Sequence, residues 1–410
     1  MDEFALSPLT LFLLLASILS CSWIISLTKS KKQTPPSPPG PYGLPILGYL
    51  PFLQPNLHHH FTRLANKYGS IYKLRLGTKL CIVISSPCLI KEVVRDQDAI
   101  FANRDPPVAV LVATGGVDIA WSPHGPYWRD MRKVFVREML SNNNIQASYL
   151  LRKDKVRKVV RNLRSKTGQP VDIGEVVFLT EANVITNLLW GGMNGGEKWD
   201  RLGGEFLEKV SKLVDLAGKP NVSDFFQGLG KFDVQGIEKE MREVLPGMEE
   251  ILDVVVGERM KMMEGGGEWR DERRIDFLEI LLELKGQKVG ERSFDVPEIK
   301  AILLDIVIGG TDTTTTIVEW VMAELLDKPH LMEKVKKELT DVVGVNNIVE
   351  ESHISKLHYL DAVVKETFRL HPPLPLLVPR CPSQSCTIGG YAIPKGSRVF
   401  LNMWLIYMDP

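Results

Sequence analysis

Cysteine is scarce. The 410 residues hold five: Cys21, Cys81, Cys88, Cys381 and Cys386. The number is odd and the spacing matches no zinc pattern, so a disulfide scaffold or structural zinc is not expected and a reducing compartment fits. Net charge is lacking too, since 50 Lys+Arg balance 50 Asp+Glu. Nothing global draws such a chain to nucleic acid, and no nucleic-acid partner is expected. No internal repeat is present. One local charge excess stands out, LLRKDKVRKVVRNLRSK, with eight basic residues and one acidic. It reads as a solvated helix face or as a cationic surface for an acidic partner.

What is present at the N-terminus is apolar. Phe4 to Leu27 contain no charged side chain, and Lys29, Lys31 and Lys32 follow. As a helix this run spans about 36 Å, against a bilayer core of about 30 Å. A positive flank belongs on the cytoplasmic side, so residues 1–32 read as one membrane anchor with the body in the cytosol. A cleaved signal peptide is the competing reading, but its basic start is missing. Residues 33–48 follow, containing PPSPPGPYGLPILG, a proline-rich hinge that cannot be helix or central strand. Residues 49–410 form the body. The acceptor triplet at Asn221 would not meet a glycosyltransferase in a cytosolic body.

Within the body, HHHFTRLANKYG reads as a helix closed by Gly69. His58, His59 and His60 point to different faces, which does not suit a metal site. IYKLRLGTKLCIVISS alternates around Gly77-Thr78 as a β-hairpin. From about residue 140 to 370 the pattern is mostly helical, with GGMNGGEKWDRLGG and EGGGEWRDERR as candidate loops. CTIGGYAIPKGSRVFLN is strand-like, and RVFLNMWLIYM reads as a terminal, unprotected β-prone segment. The fold class is mainly α with a small β region.

The most informative stretch is FDVPEIKAILLDIVIGGTDTTTTIVEWVMAELLDKPH. Asp295 and Glu298 make a capping-box start, with Pro297 in the first turn. Lys328-Pro329 marks the stop. The middle is poorly chosen for helix. Gly309 and Gly310 each cost about 1 kcal/mol relative to Ala, and Thr313 to Thr316 add to that. Two readings stay open: a kink or close helix crossing, or a site where something flat approaches the backbone, with Asp312 and Thr313 as a proton relay.

Several motifs in one order then carry a resemblance. GGTDTT, Gly309 to Thr314, resembles the oxygen-activation motif A/G-G-x-D/E-T-T/S of the cytochrome P-450 family. KETFRL supplies E-x-x-R as Glu366 and Arg369, and YWRDMR supplies W-x-x-x-R as Trp128 and Arg132. The proline-rich hinge resembles that of the membrane-anchored members, and the whole set is most similar to the plant microsomal branch. The resemblance implies the cytochrome P-450 fold and a haem-dependent monooxygenase acting on a small hydrophobic metabolite such as a terpenoid or phenylpropanoid. It also implies an NADPH-dependent reductase as partner and a single-pass place in the endoplasmic reticulum membrane. By the same resemblance Trp128 and Arg132 bind a haem propionate, Gly309 and Gly310 let the haem approach, and Asp312 and Thr313 deliver protons. Glu366 and Arg369 form a buried structural pair. Arg129, Lys133 and the basic 152–166 run offer a cationic face to the reductase. PVAVLVATGGVDIA and PLPLLVP would line an apolar substrate pocket.

The departures are equally specific. The family ligates iron through a cysteine in F-x-x-G-x-R-x-C-x-G, and none of the five cysteines stands in that context. The segment supplying a third partner to Glu366 and Arg369 is missing too. WLIYMDP has Tyr407 and Met408 where the family usually has His and Arg. The expectation is a family member truncated before the haem-ligating segment, incomplete at the C-terminus and inactive as it stands. The alternative is a membrane-anchored helical protein without catalysis, kept as a binding partner or in no role.

Overall fold

The computed structural model describes Ser17 and residues 35–191, 197–226, 228, 232–264, 276–289 and 292–409. Apart from Ser17, the anchor expected over residues 1–32 lies outside them, as do Cys21 and nearly all of the glycine-rich stretch around 265–275. The chain divides into two compact units. One joins the residues up to Asp105 with Val222–Lys231 and Leu376 onward; the other holds Pro106–Asn221 and Phe232–Pro375.

The first unit is the β region. Helix α1 (Leu57–Tyr68) ends at Gly69, which takes the positive φ that closes the turn. Strands β1 (Ile71–Leu76) and β2 (Lys79–Ile84) form the expected antiparallel hairpin. A second hairpin, β3 (Cys386–Ile388) and β4 (Tyr391–Ile393), precedes β5 (Arg398–Leu401), which pairs with β2 in parallel. Strand β2 lies between β1 and β5 and is buried on both faces. Ile82 and Ile84 pack with Val399, Leu401, Ile388 and Phe101 on one side. Cys81 and Val83 pack with Phe61, Leu74 and Phe400 on the other. Two covered faces explain why CIVI is a continuous apolar run rather than an alternating one.

One expectation needs correction here. The segment from Arg398 is not an unprotected strand. Residues 398–401 are buried, their free edge is bridged by Arg380, and Met403–Tyr407 turn into a short helix capped by Asn402. The described part of the hinge is neither helix nor strand over residues 35–43, where Pro36 and Pro39 carbonyls accept from the Ala392 and Lys73 amides, and it turns at residues 45–47.

One ion cluster ties the unit's ends together. The Asp105 carboxylate takes Lys79 Nζ at 2.6 Å and Arg398 Nη2 at 2.5 Å, with the Arg398 side chain only 9% exposed.

The second unit is helical. Its main helices are α2 (Val108–Thr114), α3 (Pro126–Val134), α4 (Tyr149–Ser165), α5 (Ile173–Trp190), α6 (Glu197–Gly218), α7 (Ile237–Glu264), α8 (Phe277–Glu283), α9 (Val296–Asp327), α10 (Pro329–Val343) and α11 (His358–Leu370). Helix α6 corrects the sequence reading, because Glu197 to Gly204 are helical rather than loop. Phe206, Leu207, Val210, Leu213 and Leu216 bury one face in the main core, and that packing outweighs the glycines' preference.

Helix α9 runs unbroken for 32 residues. Asp295 and Glu298 form the capping box and Lys328 closes the end. Ile299, Ile302, Leu303, Leu304 and Val307 anchor its first half in the core. It is long and apolar enough to cross a membrane, but half of its most apolar window is buried, as in an internal helix.

Removing the Asp105 carboxylate should leave Arg398 enclosed and unpaired. Asp105→Ala is expected to cost about 3 kcal/mol, near the lower end for breaking a buried pair because Asp105 keeps some exposure. Urea unfolding would read this as a lower midpoint at unchanged slope.

Candidate functional site

The two central glycines of α9 do different things. A Cβ on Gly310 would sit 2.4 Å from Cδ1 of Ile185, so this glycine lets α5 cross α9 closely. A Cβ on Gly309 would meet no heavy atom within 4 Å. Gly309 therefore has no packing reason to be glycine, and it opens a bare strip of backbone. The close-crossing reading of the weak middle holds at Gly310, and Gly309 leaves open space beside it. The threonines keep the helix continuous: Thr313 Oγ1 donates to the Gly309 carbonyl at 2.9 Å, and Thr311, Thr314, Thr315 and Thr316 repeat the bond one turn back. Asp312 is exposed and Thr313 half-buried beside Gly309.

Helix α3 carries Trp128 and Arg132 four residues apart, but their polar groups turn different ways. The Trp128 indole donates to the Ile119 carbonyl at 2.9 Å. Arg132 is exposed, with its guanidinium over the Phe135 ring at 5.7 Å. The Tyr127 hydroxyl donates to the Val117 carbonyl at 2.8 Å. Both carbonyls belong to the 115–121 turn after α2.

That turn holds the residues the sequence reading missed. Asp118 is 1% exposed and accepts the Thr114 hydroxyl at 2.6 Å and the Trp121 amide at 2.5 Å. Asp305 of α9 accepts the Ile119 and Ala120 amides on Oδ2 at 3.2 and 3.1 Å. Burial, and then the nearby Asp118 charge, push the Asp305 carboxyl up to about 7 against the pull of the two amides. The available signal was a lone carboxylate inside AILLDIVIGG, where an apolar helix face gives no reason for one.

Glu366 and Arg369 on α11 do form a two-bond ion pair at 2.8 Å. It is not the buried pair expected: the side chains keep 54% and 41% exposure. Of α11 only Thr367 is buried, so both partners project from its outer face. Arg369 holds the Glu366 carboxyl below its usual range, but a pair this exposed contributes little to stability. Where α11 ends, the His371 ring stacks on Trp320 of α9 at 3.7 Å and bonds Glu324 at 2.7 Å.

Part of the basic run is committed internally. Arg152 pairs with Glu351, and Lys153 and Arg157 converge on Glu350. Arg161, Arg164 and Lys166 remain on the solvent side with Arg129 and Lys133.

With this geometry in place, comparison with known proteins gives the class. The cytochrome P450 family model matches residues 38–410. A flavonoid 3'-monooxygenase of Crocosmia x crocosmiiflora is 37% identical over 406 residues, covering 97% of this chain and 78% of that protein. Geraniol 8-hydroxylase of Catharanthus roseus is 36% identical over 381 residues, covering 92% and 76%. A zebra fish cytochrome P450 solved with progesterone superposes with a TM-score of 0.72 at 26% identity, covering 87% of this chain and 81% of that one. These are enzymes of the monooxygenase class. The chain belongs to the cytochrome P450 family, whose cofactor is haem.

The residues fit that cofactor on one side only. The open strip at Gly309 suits a flat group. The family's thiolate ligand is a cysteine whose proton the iron itself displaces, so what matters is sequence context and access rather than the thiol's own pKa. None of the described cysteines stands in the family's ligating context. Cys81 is sealed in the β core and burial pushes it up to about 12; burial also raises Cys381 and Cys386, and Cys88 is exposed in the 87–91 helix.

The glycines can be separated experimentally. Gly309→Ala should stabilise the haem-free chain by up to about 1 kcal/mol, the helix-propensity gain with no clash. Gly310→Ala would have to push the Ile185 Cδ1 methyl aside, which offsets part of the same gain. A smaller rise in thermal midpoint for Gly310→Ala than for Gly309→Ala is the expected outcome.

Proposed function

We propose that this chain carries the substrate side of a haem-dependent hydroxylase for a small hydrophobic plant metabolite, a terpenoid or phenylpropanoid. The observation that carries this reading is the Gly309 strip flanked by Asp312 and Thr313. It is backbone left bare without a packing reason, beside a carboxylate and a hydroxyl able to hold and pass a proton. Gly310, in this reading, keeps that strip in register by fixing α9 against α5. Arg132 is the propionate-side donor on α3, while the Trp128 indole N–H beside it is taken by the Ile119 carbonyl, and the outward cations Arg129, Lys133, Arg161 and Arg164 suit an acidic NADPH-dependent reductase. Haem, when bound, supplies the activation of O2 and the insertion of one oxygen atom. The substrate class is supported by the relatives' names, one a flavonoid monooxygenase and one a geraniol hydroxylase, and by the apolar residues 107–117. The apolar run at Phe4–Leu27 with its lysine flank supports an endoplasmic reticulum anchor with the body in the cytosol.

The second reading is a non-catalytic membrane-anchored protein. It is favoured by one observation: none of the five cysteines stands in the family's F-x-x-G-x-R-x-C-x-G context. On that ground the 410 residues by themselves are proposed to be inactive. The spectrum of the reduced, carbon-monoxide-treated protein decides. These residues alone should give no red-shifted Soret band of thiolate ligation, and the band should appear once a C-terminal segment bearing F-x-x-G-x-R-x-C-x-G is joined. A thiolate band from the 410 residues themselves would overturn the inactivity, and no band from the extended chain would overturn the hydroxylase reading.

A further inference from the structure

We propose that Asp305 is a positioning residue for the 117–121 turn: one carboxylate oxygen on α9 holds two consecutive turn amides and so sets the carbonyl that orients Trp128. The chain of contacts is short. Asp305 Oδ2 accepts from the Ile119 and Ala120 amides, and the Ile119 carbonyl on the same residue accepts the Trp128 indole at 2.9 Å. The Val117 carbonyl accepts Tyr127, and Asp118 gathers Thr114 and Trp121. Six hydrogen bonds thus hold the turn between α2 and α3, and the two to Asp305 tie it to the long helix.

The choice of aspartate is informative. An asparagine carbonyl would accept the same two amides without placing a charge in enclosed space next to Asp118. Asp118 is also the one charge felt at Asp305 among the described residues. Lys300 on α9 is paired with Asp253 of α7 at 2.6 Å. Arg259, Asp276 and Glu279 of α7 and α8 engage one another. On α5, Glu181 is shifted by burial alone, and Glu319 of α9 lies against Gly174. Among the described residues no cation offsets the Asp305 charge. The gain from a charged acceptor is bond strength, since amides donating to a carboxylate bond more strongly than to a neutral carboxyl.

Two pH responses of opposite sign follow. The carboxyl titrates near neutrality in the folded chain, about 7, and in the usual carboxylate range when unfolded. The folded chain therefore holds the proton more tightly. Its stability relative to an uncharged variant is complete at low pH, is lost as pH rises from about 4 to about 7, and is level above that. The turn behaves the other way. As pH passes through about 7 the carboxylate forms and both amide bonds tighten.

Hydrogen-exchange mass spectrometry on residues 115–124, corrected for intrinsic rates, reads the turn, and thermal unfolding reads the whole. In Asp305→Ala the turn should exchange roughly tenfold faster or more at pH 8. Asp305→Asn should match the parent at pH 6 and fall several-fold below its protection at pH 8, while melting higher than the parent at pH 8 by a margin that vanishes toward pH 4. A parent and an asparagine variant that keep equal turn protection from pH 6 to pH 8 would overturn the proposal. So would an alanine variant as protected as the parent. Should the alanine variant fail to fold, the asparagine comparison decides by itself.

Discussion

The helical unit depends on one close approach. At Gly310 the backbone of α9 lies against the tip of the Ile185 side chain of α5, which an added methyl group would displace. Helix axes come together only where side chains permit, so this glycine sets how α5 and α9 meet. The apolar first half of α9 is then committed to the core through Ile299, Ile302, Leu303 and Val307. What α9 has left over is the side carrying Gly309, Asp312 and Thr313. That side is where the proposed haem site lies.

The polar side of the architecture follows the same economy. The turn between α2 and α3 has no regular secondary structure to satisfy its backbone, so side chains do it. Two carboxylates, an indole and a phenol each take or give a bond there. The result is an irregular segment in which the Gly116, Val117, Ile119, Ala120 and Trp121 amides each have an acceptor, held by residues from α3 and α9.

Much of this was legible in the sequence because it rests on local chemistry. The capping box at Asp295, the stop at Lys328-Pro329, the Gly77-Thr78 hairpin and the Gly69 closure are each decided by a few neighbouring residues. The functional motifs were legible through their order along the chain. What escaped depends on distant packing. Glu197 to Gly204 look like loop until the buried face of α6 is seen. The Arg398 segment looks exposed until β2 is found beside it. Glu366 and Arg369 have the spacing of a pair, which spacing alone cannot tell apart as buried or exposed. Asp305 was visible as an oddity, yet its partners are amides from more than one hundred residues earlier, which no pattern in α9 announces.

The β unit is assembled from both ends of the chain. Arg398 and its partner Asp105 stand 293 positions apart, and β2 acquires its parallel neighbour β5 from the same late segment. During synthesis the first hundred residues emerge with a strand rich in apolar side chains and one edge unpaired. At ribosomal rates of about 5–20 residues per second, the missing strand follows only after roughly 15–60 s. For that interval Cys81, Ile82, Val83 and Ile84 have no β5 to cover them. A nascent chain in this state is a natural client for a chaperone, and in its absence the open edge of β2 is where two growing copies would first adhere.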